Sequence, residues 1–225
     1  MSFSVAEGLT ADGDALGFVL SGGRSSRMGR DKALVELAGA PLLSHALGIF
    51  REAGLKASIA GGRDELAGFA PLVADRWPGS GPLGGICSAL AASEARWSVF
   101  LPIDMPLLPA SLLSCLLNHA AISGRLITIA SVGGFAESFP VVIDRAALPV
   151  LERELAAGRN GCFRAFQAAA EAMREPVTVI AVEHLVQCGQ VRHAPAMLAC
   201  WWFLNVNTAE NLLRAENLHA AHRLS

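Results

Sequence analysis

Short apolar runs bounded by glycine, proline or acidic residues recur along this chain, and they alternate with segments whose apolar positions fall at helical spacing. Residues 15–20, 57–60, 71–74 and 97–101 are runs of the first kind, each of a length suited to a buried parallel strand. Between them, Pro41 opens a helix whose Leu42, Leu43, Ala46, Leu47 and Phe50 share one face, and Gly54 ends it. Residues 63–66 read as a loop or short helix. The stretch 75–85 holds four glycines and two prolines, which predicts an irregular, cleft-lining segment ahead of a helix through Ile86, Ala89 and Leu90. A further helix is expected over 110–119, then strands at 126–131 and 138–143 and a helix over 145–156. After a break at 158–161, helical spacing resumes over 162–173. Residues 176–182 read as a strand, the next segment through Pro195 as an irregular insert, and 201–206 as the last strand. Thr208 then caps a helix through Leu212, Leu213 and Ala215 to about His219. This alternation predicts an α/β fold with a mostly parallel central sheet.

Composition narrows the picture. With 225 residues, 52% of them hydrophobic, the chain suits one domain over 15–225, preceded by a small, polar and acidic leader over 1–14. A formal net charge of -2 excludes the broad basic surface that a nonspecific nucleic-acid binder needs. Cys87, Cys115, Cys162, Cys188 and Cys200 are scattered and form no Cys-x-x-Cys pair, which reads as reduced thiols. The histidines form no zinc-ligand pattern; His219 and His222 share a helix face that a terminal helix explains equally well. The apolar stretch 194–204 is too short to span a bilayer, and the N-terminal residues do not resemble a signal peptide. A cytoplasmic protein with no membrane or nucleic-acid partner is expected.

The chemistry concentrates behind the first strand. From Leu20 and Ser21, the chain passes through Gly22, Gly23, Arg24, Arg27 and Gly29 to Asp31 and Lys32. Glycines permit backbone N–H groups to converge on phosphate oxygens, and Arg24, Arg27 and Lys32 supply positive charge. The loop leaves the carboxyl end of a buried strand, where open α/β sheets hold ligands. It is neither a P-loop, since Lys32 lies three positions after Gly29 and Ala33 follows it, nor a Gly-x-Gly-x-x-Gly fingerprint. A glycine-rich turn with a solvated basic face is the alternative. Asp104, at the end of the 97–101 strand, is placed either to hold Mg²⁺ or to cap the helix at 110. Asp75 either accepts from the N–H donors of a base or from ribose hydroxyls, or serves as a turn or helix cap. Asn205 and Asn207 fall on one face of an extended segment; either the Asn207 amide oxygen joins Asp104 at the metal, or the two asparagines form a turn.

The ordered landmarks of this chain resemble those of the molybdenum cofactor guanylyltransferases. They are Leu20-Ser21-Gly22-Gly23 with Arg27-Met28-Gly29 and Asp31-Lys32, then Gly81-Pro82-Leu83-Gly84-Gly85-Ile86, then Pro102-Ile103-Asp104-Met105-Pro106, and last Phe203-Leu204-Asn205-Val206-Asn207-Thr208. The resemblance spans about Leu16 to Leu213. It implies a three-layer Rossmann-like nucleotidyltransferase fold, with the nucleotide on the N-terminal half and the acceptor on the C-terminal half. It further implies GMP transfer from GTP to the phosphate of the molybdenum cofactor pterin, with Mg²⁺ as cofactor and transient contacts with enzymes that make or receive the product. Arg27, Lys32 and Asp104 then carry catalysis. Leu20, Ser21, Gly22, Gly23, Arg24, Asp75, Gly81, Pro82, Leu83, Asn205 and Asn207 join Lys32 and Asp104 in binding, and Asp104 with Asn207 holds the metal. The Gly-Gly of the first loop and the segment from Gly81 are the family features associated with guanine. Three departures stand out: Ser138-Phe139-Pro140 lacks the polar residue often found before that proline, Asn160-Gly161 stands where a relative has two arginines, and Gly62 stands where some relatives carry Asn. A cytidylyltransferase, a sugar-phosphate nucleotidyltransferase and a noncatalytic nucleotide-binding partner are the alternatives.

Overall fold

In a computed structural model of the protein, residues 14–21, 31–193 and 197–223 are described. Strand β1 (Ala15–Leu20) is followed by a 3₁₀ turn at Lys32–Leu34 and a two-residue hairpin of β2 (Glu36–Leu37) and β3 (Ala40–Pro41). Helix α1 (Leu42–Glu52), β4 (Ala57–Ala60), β5 (Leu72–Val73), α2 (Gly81–Ala92), β6 (Trp97–Pro102) and α3 (Ala110–Ser123) complete the first half. The second half contains β7 (Ile127–Val132), β8 (Phe135–Asp144), α4 (Leu148–Ala156), α5 (Cys162–Ala172), β9 (Thr178–Ala181), α6 (Val182–Gln187), α7 (Ala199–Trp202) and α8 (Ala209–Arg223).

The larger sheet has seven strands in the order β5-β4-β1-β6-β8-β7-β9. Only β8 runs antiparallel to its neighbours; the other pairings are parallel. The two-residue alternation of side chains along each strand divides the core into two layers. Val19, Val99, Leu101 and Val142 face α1 and α3, whereas Phe18, Leu20, Phe100, Val141 and Ile143 face α2, α4 and α5. The expected three-layer α/β arrangement is therefore the observed one.

Two segments depart from the reading of the chain. The 75–85 stretch is not irregular throughout, because α2 begins at Gly81 with Pro82 in its first turn, where a missing N–H costs nothing. Gly84 belongs to the packing: a Cβ there would lie 2.8 Å from the carbonyl oxygen of Trp77. Residues 201–206 are not a strand. They pass from α7 into irregular chain, with Trp202, Phe203 and Val206 buried against the α1 and α3 layer. A short, largely apolar run carries no periodicity to separate a strand from a buried turn, and here the helical layer, not a sheet edge, takes the side chains. Smaller differences have the same origin. The 176–182 strand is confined to β9, and Val182 turns inward to open α6 within the expected insert.

Candidate functional site

β1 and β6 lie side by side, pairing Leu20 with Pro102, so the chain after each emerges at the same edge of the sheet. That adjacency joins two distant parts of the sequence. Beyond β1, Asp31 caps the 3₁₀ turn by accepting from the Ala33 backbone N–H at 3.1 Å, and its carboxylate also pairs with Arg63. Lys32, at the start of this turn, donates through Nζ to Asp104 Oδ2 at 2.8 Å. The same ammonium donates to Asn207 Oδ1. Both ionic side chains are largely shielded, with 15% and 18% of their surface exposed.

A backbone contact explains how Asn207 arrives there. The Val206 N–H donates to the Asp104 carbonyl at 2.8 Å, which ties the 205–207 segment to the tip beyond β6. The Asn207 N–H also donates to the Asn205 carbonyl at 3.1 Å, a three-residue turn rather than extended backbone. The expectation that Asn205 and Asn207 share one face of an extended segment is thus corrected. Asn207 meets Lys32, whereas the Asn205 amide donates back to the Phe203 carbonyl at 3.3 Å.

Leu20 is buried in the α2 layer, and Ser21 donates through both backbone N–H and hydroxyl to the Ala60 carbonyl, at 3.1 and 3.3 Å. Ser21 therefore anchors the start of the loop to β4. Gly22, Gly23, Arg24 and Arg27 lie outside the described residues. Asp75, exposed beyond β5, accepts from the Trp77 N–H at 2.9 Å and from the Ser88 hydroxyl at 3.4 Å, the contacts of a turn-forming aspartate. Gly81 and Pro82 form the first turn of α2, and the Leu83 side chain is fully buried. In the C-terminal half, Arg159 makes two 2.6 Å bonds to Glu154 and holds that carboxyl below the usual range, so this arginine is committed to closing the turn after α4.

Hard oxygen donors converge at the Lys32 contact. Asp104 Oδ1 is buried and has no hydrogen-bond partner among the described residues, and Asn207 contributes an amide oxygen beside it. A buried, unsatisfied carboxylate oxygen is costly, and with a neighbouring amide oxygen it suits a cation that takes oxygen ligands. No cluster of three or more His, Cys, Asp or Glu side chains able to hold a metal occurs among the described residues. Mg²⁺ takes oxygen ligands and needs only one or two protein carboxylates beside phosphate and water.

Glu137 is a feature that sequence reading passes over. β8 runs beside β6 in antiparallel register, pairing Val141 with Phe100, so its earlier residues extend past the end of β6 on the Asp104 side. The register between β7 and β8 shifts after Ile129, and such bulges re-aim side chains. Glu137 sits in this stretch, partly buried, with no hydrogen-bond or ion-pair partner among the described residues. Burial pushes its pKa up. An acidic residue just ahead of the apolar 139–143 run was the signal available in the sequence. The thiols offer no comparable chemistry in the core: burial pushes Cys87 to about 12 and Cys162 to about 11, which keeps both protonated.

A mostly parallel sheet that gathers a lysine, a carboxylate and an amide beyond its strand ends defines a nucleotide-handling α/β protein. The sequence comparisons specify the family. A family model for the MobA-like NTP transferase domain matches residues 17–192, and the chain belongs to that family of nucleotidyltransferases. Relatives called molybdenum cofactor guanylyltransferase include one from Xanthomonas euvesicatoria, 50% identical over 103 residues covering 45% of this chain and 52% of the relative. The chain thus aligns with about half the length of that relative. One from Pseudomonas putida is 35% identical over 154 residues, covering 65% of this chain and 79% of the relative. Among solved structures, the molybdopterin-guanine dinucleotide biosynthesis protein A of Archaeoglobus fulgidus superposes with a TM-score of 0.73 at 23% identity, covering 91% of this chain and 98% of that one. The 2-C-methyl-D-erythritol 4-phosphate cytidylyltransferase of Thermus thermophilus gives 0.60 at 15% identity, covering 90% and 98%. These structures share the fold.

Proposed function

We propose that the chain transfers GMP from GTP to the terminal phosphate of the molybdenum cofactor pterin. An oxygen of the acceptor phosphate forms a bond to the α-phosphorus, the bond from that phosphorus to the bridging oxygen of the β-phosphate breaks, and pyrophosphate leaves. The named relatives support guanylate and this acceptor. The observation that carries the reading is the shared contact of Lys32 with Asp104 and Asn207, beyond the ends of adjacent strands.

The reaction needs no protein nucleophile, because a phosphate monoester is already anionic at neutral pH. The protein must instead reduce repulsion between two anions and hold attacking oxygen, phosphorus and leaving oxygen in line. Lys32 supplies a fixed positive charge for the triphosphate and the developing pyrophosphate, and Arg24 and Arg27 of the glycine loop are assigned the same role. Asp104 and Asn207 would hold Mg²⁺, which supplies charge neutralisation at the transferring phosphate when bound. Gly22, Gly23 and the first turn of α2 are assigned to the nucleotide. Glu137 is assigned to the acceptor, since the amino group and ring N–H of a pterin form a donor edge that one carboxylate accepts. No helix among the described residues is long and apolar enough to cross a membrane. Placement in the cytoplasm, with transient contacts to cofactor-synthesis or acceptor enzymes, completes the proposal; the unpaired state of all five cysteines supports a reducing compartment.

Mass analysis of the product after incubation with GTP, Mg²⁺ and molybdopterin or its molybdenum-loaded form tests this reading. A guanine dinucleotide with matching pyrophosphate release is expected. A product formed only from CTP would overturn the base assignment, and tight GTP binding without pyrophosphate release would overturn transfer.

A further inference from the structure

On the α1 and α3 side of the sheet lies a cavity of about 630 Å³ whose lining includes none of Lys32, Asp104 or Asn207. Its size is that of a small-molecule site. One wall is α1, another is the segment around Arg192, and the chain from Pro106 to Ser111 lies between them.

The lining is cationic at its polar positions. Arg51 and Arg192 both contribute, and neither is ion-paired among the described residues. Glu52 is the single acid in the lining among the described residues. A chain with a net charge of -2 has no general basic surface from which such a pair would follow. The Arg192 backbone is also fixed: its N–H donates to Ser111 Oγ at 3.3 Å, and that hydroxyl donates to the Arg192 carbonyl at 3.2 Å. These bonds hold the segment against the first turn of α3. Beside the charges, Ile49, Leu107 and Met197 provide apolar surface.

Gly48 adds an independent observation. Glycine weakens a helix interior, yet it stands within α1 on the cavity wall. A Cβ at this position would have only Arg51 Nη2 within 4 Å, at 3.8 Å. The glycine thus leaves open the space over which the guanidinium lies. His193, Met197 and His219 line the cavity from beyond residue 192, where the family match ends.

We propose that this cavity is a second binding site, for a small phosphate monoester with an apolar body. Arg51 and Arg192 take the phosphate, an anion that guanidinium groups match in charge and hydrogen-bond geometry. The apolar body rests on Ile49, Leu107 and Met197. The site is independent of which nucleotide or acceptor the transfer reaction uses.

Phenyl phosphate is the probe, titrated by calorimetry into the full chain already saturated with GTP and Mg²⁺, in the absence of acceptor. Saturable binding of one molecule per chain is expected, with shifts in the imidazole NMR signals of His45, His193 and His219, all of which line the cavity. Arg51→Ala and Arg192→Ala should each weaken binding at least about tenfold, and Gly48→Leu should remove it by filling the space. Unchanged GTP affinity in all three variants confirms that they remain folded. Absence of saturable binding to the GTP-loaded chain overturns the proposal, as does binding that neither arginine substitution affects.

Discussion

The ammonium of Lys32 lies 2.8 Å from the carboxylate of Asp104, although 72 residues separate them in the chain. The contact follows from the pairing of β1 with β6, which brings both following segments to one edge of the sheet. Asn207, a further 103 residues on in sequence, reaches the same ammonium because Val206 is hydrogen-bonded to the Asp104 carbonyl.

Lys32→Ala and Asp104→Ala should each lower GTP-dependent turnover by on the order of 10²–10³, the cost of removing a preorganised electrostatic group from a transfer site. Steady-state pyrophosphate release at saturating and at limiting Mg²⁺ measures this. Wild-type rates in both variants would remove these residues from the mechanism.

The two asparagines should separate in the same assay. Asn207→Ala is expected to raise the Mg²⁺ concentration needed for half-maximal turnover by about tenfold, the loss expected for one oxygen contact to a charged group. Asn205→Ala should leave that concentration unchanged, since its amide only closes a local turn. Equal effects of the two changes would contradict the observed turn geometry.

Glu137 makes a pH-dependent prediction of defined sign. Its pKa is raised in the folded chain, so the unfolded chain ionises it first and stability falls as pH rises through the folded value. Glu137→Gln should therefore raise the melting temperature at pH 7, with the difference vanishing below about pH 4, where an ordinary glutamate is protonated. Solvent screening of a partly exposed group limits the gain to less than about 1 kcal/mol, or roughly 2–4 °C for a chain of this size. The same substitution should raise KM for the pterin acceptor while leaving KM for GTP unchanged. A melting temperature lowered at pH 7 would contradict the assigned burial effect.

Gly84→Ala tests the packing of α2. The added Cβ would lie 2.8 Å from the Trp77 carbonyl and 3.1 Å from Ser80 Cβ, so backbone must shift. A loss of about 1–3 kcal/mol is expected from overpacking, measurable by urea denaturation. Unchanged stability would show that the 77–80 turn yields freely.

Much of the sheet was legible because buried strands such as β1, β4 and β6 are short apolar runs with clear boundaries, and α1 carries its apolar residues at helical spacing. The final apolar run was not, because the four adjacent hydrophobic residues from Trp201 to Leu204 satisfy a strand and a buried turn equally well. Lys32 and Asp104 could be assigned from their places after strand ends. The separation of Asn205 from Asn207 could not, because it depends on one turn closed by backbone hydrogen bonds.

By itself, then, the order of residues determined the alternating α/β elements, the glycine-rich basic loop and the family to which they point, since each is written in local pattern. Tertiary structure decided which side chains meet. It set Asn207 but not Asn205 against Lys32, committed Arg159 to Glu154, and left Glu137 without a partner among the described residues. It also brought Arg51 and Arg192 to the lining of one cavity. The meeting of Asn207 with Lys32 and of Arg51 with Arg192 depends on contacts between residues far apart in the chain, for which no local pattern carries a signal.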